Sequence, residues 1–234
     1  MKLGLTSVTF RKLGWREIIR VARDCGLDGI EWGGDVHVPP GDVQLAREIY
    51  QATVDAGLAV LSYGSYYKPG GDTPFEDVLE TALALHASTI RIWAGTNFEA
   101  AIGDARRIAD MANAHGVTIA FEYHRHTLTE TAESALALLQ AIARDNVKTY
   151  WQLNPELTHA KNLAELAAVS PWLENIHVFH WTRHGRRLPL EAGAGAWRAY
   201  LGAAGPKAAI LEFVKGDSSA QCRRDAQQLR RLCD

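Results

Sequence analysis

A short unit recurs along this chain. A helix-like stretch ends at glycine, and an apolar run begins at once. It appears in Asp24-Cys25-Gly26-Leu27-Asp28-Gly29-Ile30, in Asp55-Ala56-Gly57-Leu58-Ala59-Val60-Leu61 and in Ala114-His115-Gly116-Val117-Thr118-Ile119-Ala120. Glycine suits that place because the residue after a helix often takes φ > 0, which only glycine adopts without strain. With similar apolar runs elsewhere, the pattern predicts eight strands, at 3–8, 28–32, 59–63, 89–93, 117–123, 148–152, 175–180 and 208–214, with starts 25 to 33 residues apart. Helix-period stripes fill the intervals, such as Val43, Ala46, Tyr50 and Val54, or Ala135, Leu138, Leu139 and Ile142. Thr73-Pro74-Phe75-Glu76 reads as a helix start with Thr73 as the N-cap.

Eight strand–helix units of about 30 residues close most naturally into a (β/α)8 TIM barrel. The expected fold is therefore α/β, a single barrel domain over residues 1–234. The rival, an open doubly wound sheet, normally carries a glycine fingerprint after its first strand. Val8-Thr9-Phe10-Arg11 has none.

Composition narrows the function classes. With 47% hydrophobic and 22% charged residues, wholesale disorder is excluded. A net charge of −2 is no footprint for nucleic acid, and no apolar stretch reaches the length of a membrane span. The opening Met1-Lys2-Leu3-Gly4-Leu5-Thr6 is too short an apolar run for a signal peptide. Cys25, Cys222 and Cys233 are odd in number and scattered, which argues against a disulfide framework and for a cytoplasmic location. None lies in a CxxC pair, so a thiolate zinc site is excluded.

In a TIM barrel the chemistry sits at the carboxyl ends of the strands. Glu122 and Glu212 each end an apolar run, where a carboxylate is buried unless paired or metal-bound. One such residue could be a structural ion pair. Two of them, with His177 within a third strand, read as one convergent site. Carboxylate oxygen and imidazole nitrogen suit a divalent metal, Mn²⁺, Co²⁺, Zn²⁺ or Mg²⁺.

Around this set, Glu31, Trp32, His124, His180 and Arg187 are candidate substrate contacts. Each has a plainer reading. Glu31 could stand behind the contact layer, His124 could be a solvated loop residue, and Trp32 could be rim packing. His180 faces the pocket only if its strand bulges. Arg187 belongs to the run Arg183-His184-Gly185-Arg186-Arg187, which could be an exposed basic loop. His37, His86, His115 and His159 fall on helices or loops and are expected at the surface.

Four segments in this order, Gly29-Ile30-Glu31-Trp32, Phe121-Glu122-Tyr123-His124, Asn175-Ile176-His177-Val178 and Ile210-Leu211-Glu212-Phe213, resemble the xylose-isomerase-like TIM-barrel superfamily. Its members include sugar phosphate isomerases and epimerases, and apurinic endonucleases. The likeness covers nearly the whole chain. It implies one divalent metal held by Glu122, Gln152, His177 and Glu212, with the two glutamates also exchanging the substrate proton. Gln152 departs from the family pattern, which has a carboxylate there and often a histidine where this chain has Pro155. An amide oxygen can coordinate but brings no charge.

The resemblance points to a metal-assisted isomerase or epimerase that moves a proton alpha to the carbonyl of a small sugar or polyol ketone. The alternatives are a dehydratase on a related polyol ketone and a sugar-binding barrel that has lost catalysis with its metal ligand. An endonuclease would need a larger His/Asp/Glu set for three metals. A Schiff-base aldolase would need a buried lysine at the active face, where Lys148 and Lys215 do not lie. The expected partner is a small carbohydrate, with neither nucleic acid nor membrane, and a homo-oligomer is compatible with the chain.

Overall fold

In the computed structural model, which describes residues 1–233, the repeating unit does close into a ring. The strands are β1 (Lys2–Thr6), β2 (Gly29–Gly33), β3 (Ala59–Gly64), β4 (Thr89–Ile92), β5 (Thr118–Phe121), β6 (Val147–Trp151), β7 (Leu173–Val178), β8 (His180–Trp181), β9 (Arg187–Leu188) and β10 (Ala208–Leu211). Eight of them are parallel neighbours in chain order, and β10 returns to β1 to shut the barrel. The other two, β8 and β9, form an antiparallel hairpin after β7. The sequence pattern did not predict this hairpin, because two-residue strands are too short to show a period. Around the ring lie α1 (Trp15–Asp24), α2 (Val43–Asp55), α3 (Phe75–Ala84), α4 (Phe98–Asn113), α5 (Ala132–Ile142), α6 (His159–Val169), α7 (Ala194–Ala203) and α8 (Ser219–Cys233). Among the described residues, no helix is long and apolar enough to cross a membrane.

Two local expectations need correction. Thr73 is not the N-cap of α3. The helix begins at Phe75, Pro74 takes the extended capping position, and no side chain caps the end. The acidic Glu76 and Asp77 in the first turn complement the helix dipole instead. His37 is not at the surface. It is 5% exposed, with Nδ1 bonded to Ser7 Oγ and Nε2 to the Leu13 carbonyl, each at 3.0 Å.

Alternation along the strands separates two cores. The larger lies between barrel and helices and includes Trp32, Trp151 and Trp197. The smaller fills the barrel axis with Ala120, Tyr150, Ala208, Ile210 and Leu61. Leu61 enters the axis because the β2–β3 register slips, pairing Ile30 with Val60 but Glu31 with Ser62. Its bulk needs open neighbours. A Cβ at Gly29 would lie 2.4 Å from the Ala59 carbonyl oxygen and 2.9 Å from Leu61. Backbone on the facing strand cannot retreat, so Gly29→Ala should destabilise the protein by about 1–3 kcal/mol, read by urea denaturation. The slip also sets Ser62 opposite Glu31, and polar chemistry begins at that level of the barrel.

Candidate active site

Above the apolar plug, the strands present charge. Glu31 lies in β2, Arg91 in β4 and His177 in β7, while Glu122, Gln152 and Glu212 follow β5, β6 and β10 directly. Glu31, Arg91, Glu122, His177 and Glu212 are all buried, none more than 5% exposed. Burial of so many ionisable groups is costly unless each is paired. Their pairing sets the geometry.

Glu31 is the hub. Its Oε1 accepts from His177 Nε2 at 3.0 Å and from Arg91 Nε at 3.2 Å, and its Oε2 accepts from Ser62 Oγ at 2.8 Å. Burial opposes ionisation of Glu31, but Arg91 and His177 outweigh it and hold the carboxyl far below its ordinary range. Arg91 Nη1 reaches across to pair with Glu122 Oε2. The guanidinium fits because residue 64 is glycine: a Cβ there would stand 2.5 Å from Arg91 Nη2. Thr129 Oγ1 donates to the Glu122 carbonyl oxygen at 2.6 Å and fixes the backbone after β5.

With Nε2 committed to Glu31, His177 turns Nδ1 toward the other two glutamates. It lies 3.4 Å from Glu212 Oε2 and 3.8 Å from Glu122 Oε1. Among the described residues, the donor atoms of Glu122, His177 and Glu212 form a group within 4.8 Å of one another. Ligands about 2.1 Å from a tetrahedral ion stand about 3.4 Å apart, so the group has the spacing of a metal site. His177 Nδ1, Glu212 Oε2 and the amide oxygen of Gln152 are buried without a hydrogen-bond partner. Orphaned acceptors of this kind are the donor set a divalent cation requires, and the Glu31 contact to the far imidazole nitrogen is the usual support of a metal-binding histidine. A divalent ion therefore fits these residues.

The charge balance is uneven. Burial pushes the Glu212 carboxyl up to about 7; nearby Glu122 adds to the rise, and His177 and Arg91 oppose it. Burial would lower the His177 pKa, but Glu212 and Glu31 outweigh it and raise it. Glu122, by contrast, is tied to Arg91.

The other candidate residues separate by strand parity. Phe179 and Trp181 face the barrel mouth, as His177 does, and help to line a cavity of about 80 Å³ with Tyr123, His124, Gln152 and Phe213. His180 points the opposite way. A Cβ on Gly193 would collide with its ring, so the strand does not bulge His180 into the pocket. Trp32 is fully buried in the outer core and lines no mouth. Glu31, 0% exposed with both oxygens occupied, stands behind His177 rather than at a substrate-contact position. His124 does reach the cavity wall, where it stacks on Trp93 with centroids 4.6 Å apart. Arg187 lies over Phe213 at 5.3 Å and pairs with Asp217 at 2.5 Å, at the rim. Arg183, His184 and Arg186 are exposed.

Sequence reasoning assigned no role to Arg91. The available signal was an arginine inside the otherwise apolar strand Thr-Ile-Arg-Ile, where a lone charge requires carboxylate partners.

This fold and site define a barrel with a metal-competent polar mouth. The chain belongs to the xylose isomerase-like TIM barrel family, whose model matches residues 19–232. It is 24% identical over 202 residues to a 3-dehydroshikimate dehydratase of Bacillus anthracis, spanning 76% of this chain and 71% of that protein. Similar solved structures include a protein described as a "probable 3-DHS dehydratase", also of Bacillus anthracis, with a TM-score of 0.79 at 17% identity over 98% of this chain and 99% of that one. D-psicose 3-epimerase of Clostridium cellulolyticum, solved with D-tagatose, superposes with a TM-score of 0.72 at 14% identity over the full length of both chains. A xylose isomerase-like barrel of Mycobacterium smegmatis, solved with magnesium, gives 0.73 at 16% identity over 99% and 96%. At these identities the structural likenesses establish the fold alone.

Proposed function

We propose that this barrel removes the proton alpha to the carbonyl of a small polyhydroxylated carbonyl compound, using a divalent cation held by Glu122, Gln152, His177 and Glu212. The observation that carries the reading is the buried group of Glu122, His177 and Glu212, whose donor atoms lie within 4.8 Å of one another and of which His177 Nδ1 and Glu212 Oε2 are unpartnered. A bound cation supplies Lewis-acid polarisation of the carbonyl and adjacent hydroxyl oxygens. Glu212 is the base: its carboxylate lies 3.4 Å from His177 Nδ1 and, unlike that of Glu122, is not ion-paired with Arg91. His177 holds the adjacent charge, and Glu31 fixes its ring.

Two outcomes follow proton removal. Return of the proton to the other face or the neighbouring carbon gives epimerisation or aldose–ketose conversion, with Glu122 as the second acid. Departure of the hydroxyl one carbon further on gives dehydration, in which Glu212 passes its proton to the leaving oxygen as water. The Arg91–Glu122 pair favours dehydration, because it leaves one mobile carboxyl rather than two. The dehydratase relative supports the same choice. Assaying the protein with 3-dehydroshikimate and with D-psicose, in Mg²⁺ and in Mn²⁺, separates the outcomes. Water loss from the first supports dehydration, and inversion at carbon three of the second supports epimerisation. Absence of both reactions, with retained metal binding, would contradict proton abstraction from these compounds.

Two results are expected of the metal site itself. Gln152→Asp adds a negative charge to the ligand set and should raise divalent-metal affinity by titration calorimetry. Unchanged or weaker binding would show that residue 152 does not touch the ion. Glu212 must be ionised to coordinate, so binding releases its proton and affinity should fall as pH drops below about 7.

A further inference from the structure

The β3–β4 side of the mouth collects hydrogen-bond donors that lack acceptors. Arg91 spends Nε on Glu31 and Nη1 on Glu122, while Nη2 faces Gly64 on β3 and is buried without a partner. Trp93, two residues further along, buries its indole Nε1 in the same unsatisfied state. Lys68, on the loop after β3, holds its ammonium 5.1 Å from the centre of the Trp93 ring. Tyr66 ties the three together: its ring centre is 5.1 Å from the Arg91 guanidinium carbon and 6.0 Å from that of the Trp93 ring. Trp93 in turn stacks on His124, which lines the cavity at the mouth.

Charge singles out Lys68. Within the buried cluster three carboxylates, Glu31, Glu122 and Glu212, face one guanidinium, so a divalent ion leaves the cluster neutral. The Lys68 charge is surplus to that balance. Arg11, Arg125 and Arg187, on nearby loops, have carboxylate partners: Asp35 at 2.5 Å, Glu156 at 2.6 Å and Asp217 at 2.5 Å. Among the described residues, Lys68 has no carboxylate partner and rests on the face of Trp93.

We propose that Lys68, Trp93 and Arg91 form a subsite for a carboxylate of the substrate, which makes the substrate a polyhydroxylated carbonyl acid rather than a neutral sugar. The inference rests on reading the mouth as a site of proton abstraction. Buried donors are costly while unsatisfied, and an oxygen acceptor that arrives with the substrate satisfies Nη2 of Arg91 and Nε1 of Trp93. A carboxylate offers two such oxygens, and hydrogen bonds to an ionised acceptor are the stronger kind. Lys68 supplies one unanswered positive charge, which matches a monoanion rather than a phosphate dianion. Anchored on the β3–β4 side, the substrate turns its carbonyl and hydroxyl oxygens toward Glu122, His177 and Glu212.

The test is titration calorimetry of the full-length protein in Mg²⁺ with three probes: D-gluconate, D-glucitol, which has a CH2OH group in place of the carboxylate, and D-glucitol 6-phosphate. None is an aldehyde or ketone, so binding is read apart from proton abstraction. D-Gluconate should bind tighter than D-glucitol by about tenfold or more, the usual worth of one hydrogen bond to a charged group. Lys68→Met and Trp93→Phe should each shrink that preference, and because Lys68 is exposed the first leaves the fold intact. Equal binding of D-gluconate and D-glucitol, no binding of D-gluconate, or tighter binding of D-glucitol 6-phosphate would each overturn the subsite. So would a preference that Lys68→Met leaves unchanged, which would put the carboxylate on the metal instead. None of these results bears on proton abstraction, which is decided by turnover.

Discussion

Glu212→Gln lowers kcat by about 10²–10⁴-fold while leaving the circular dichroism spectrum unchanged. That is the usual cost of losing one general acid or base. Loss of a metal ligand adds to it. The amide nearly matches the carboxylate in size, so the side chain still fills its place beside His177. It cannot accept a proton from carbon. Metal binding displaces the proton that burial holds on Glu212, so the loss should be seen at every pH at which the metal is bound. The assay is steady-state turnover at saturating metal, from pH 5.5 to 8.5. A variant retaining more than a tenth of wild-type kcat would remove Glu212 from the role of base.

Arg91→Met destabilises the fold by about 3–5 kcal/mol, the cost of leaving buried charges unpaired. For a domain of this size that corresponds to a Tm lower by roughly 6–20 °C. The methionine fills most of the volume, so the effect comes from charge. Glu31 loses its 3.2 Å contact to Arg91 Nε, and Glu122 loses its ion pair. Pairing the change with Glu31→Gln removes one orphaned charge and should recover part of the loss, since contacting sites do not add independently. Urea denaturation of the single and double variants measures both quantities. A single variant within about 1 kcal/mol of wild type would mean that Arg91 does not hold the carboxylates together.

The ring was legible because three strands announce themselves twice, by a preceding glycine and by an apolar run, and the others repeat the apolar run at a regular spacing. Glu122, His177 and Glu212 were legible for a related reason: charge at the end of an apolar strand has few places to go. Depth and facing were harder to read. Glu31 and Trp32 are adjacent in β2, and parity puts one on the axis and the other in the helix layer, but neither position reveals which oxygens are already occupied. His180 fails by one residue of parity, since Phe179 and Trp181 take the mouth positions. Arg91 required knowledge of three strands at once.

The central claim is that Glu212 breaks the bond from hydrogen to the carbon alpha to a carbonyl. Substrate deuterated at that carbon tests this most directly, with the fate of the label followed by NMR in the presence of Mg²⁺ or Mn²⁺. The account predicts that wild-type protein removes the label from its original carbon and that Glu212→Gln does not. Product that keeps the label on its original carbon, or removal by Glu212→Gln at the wild-type rate, would contradict it.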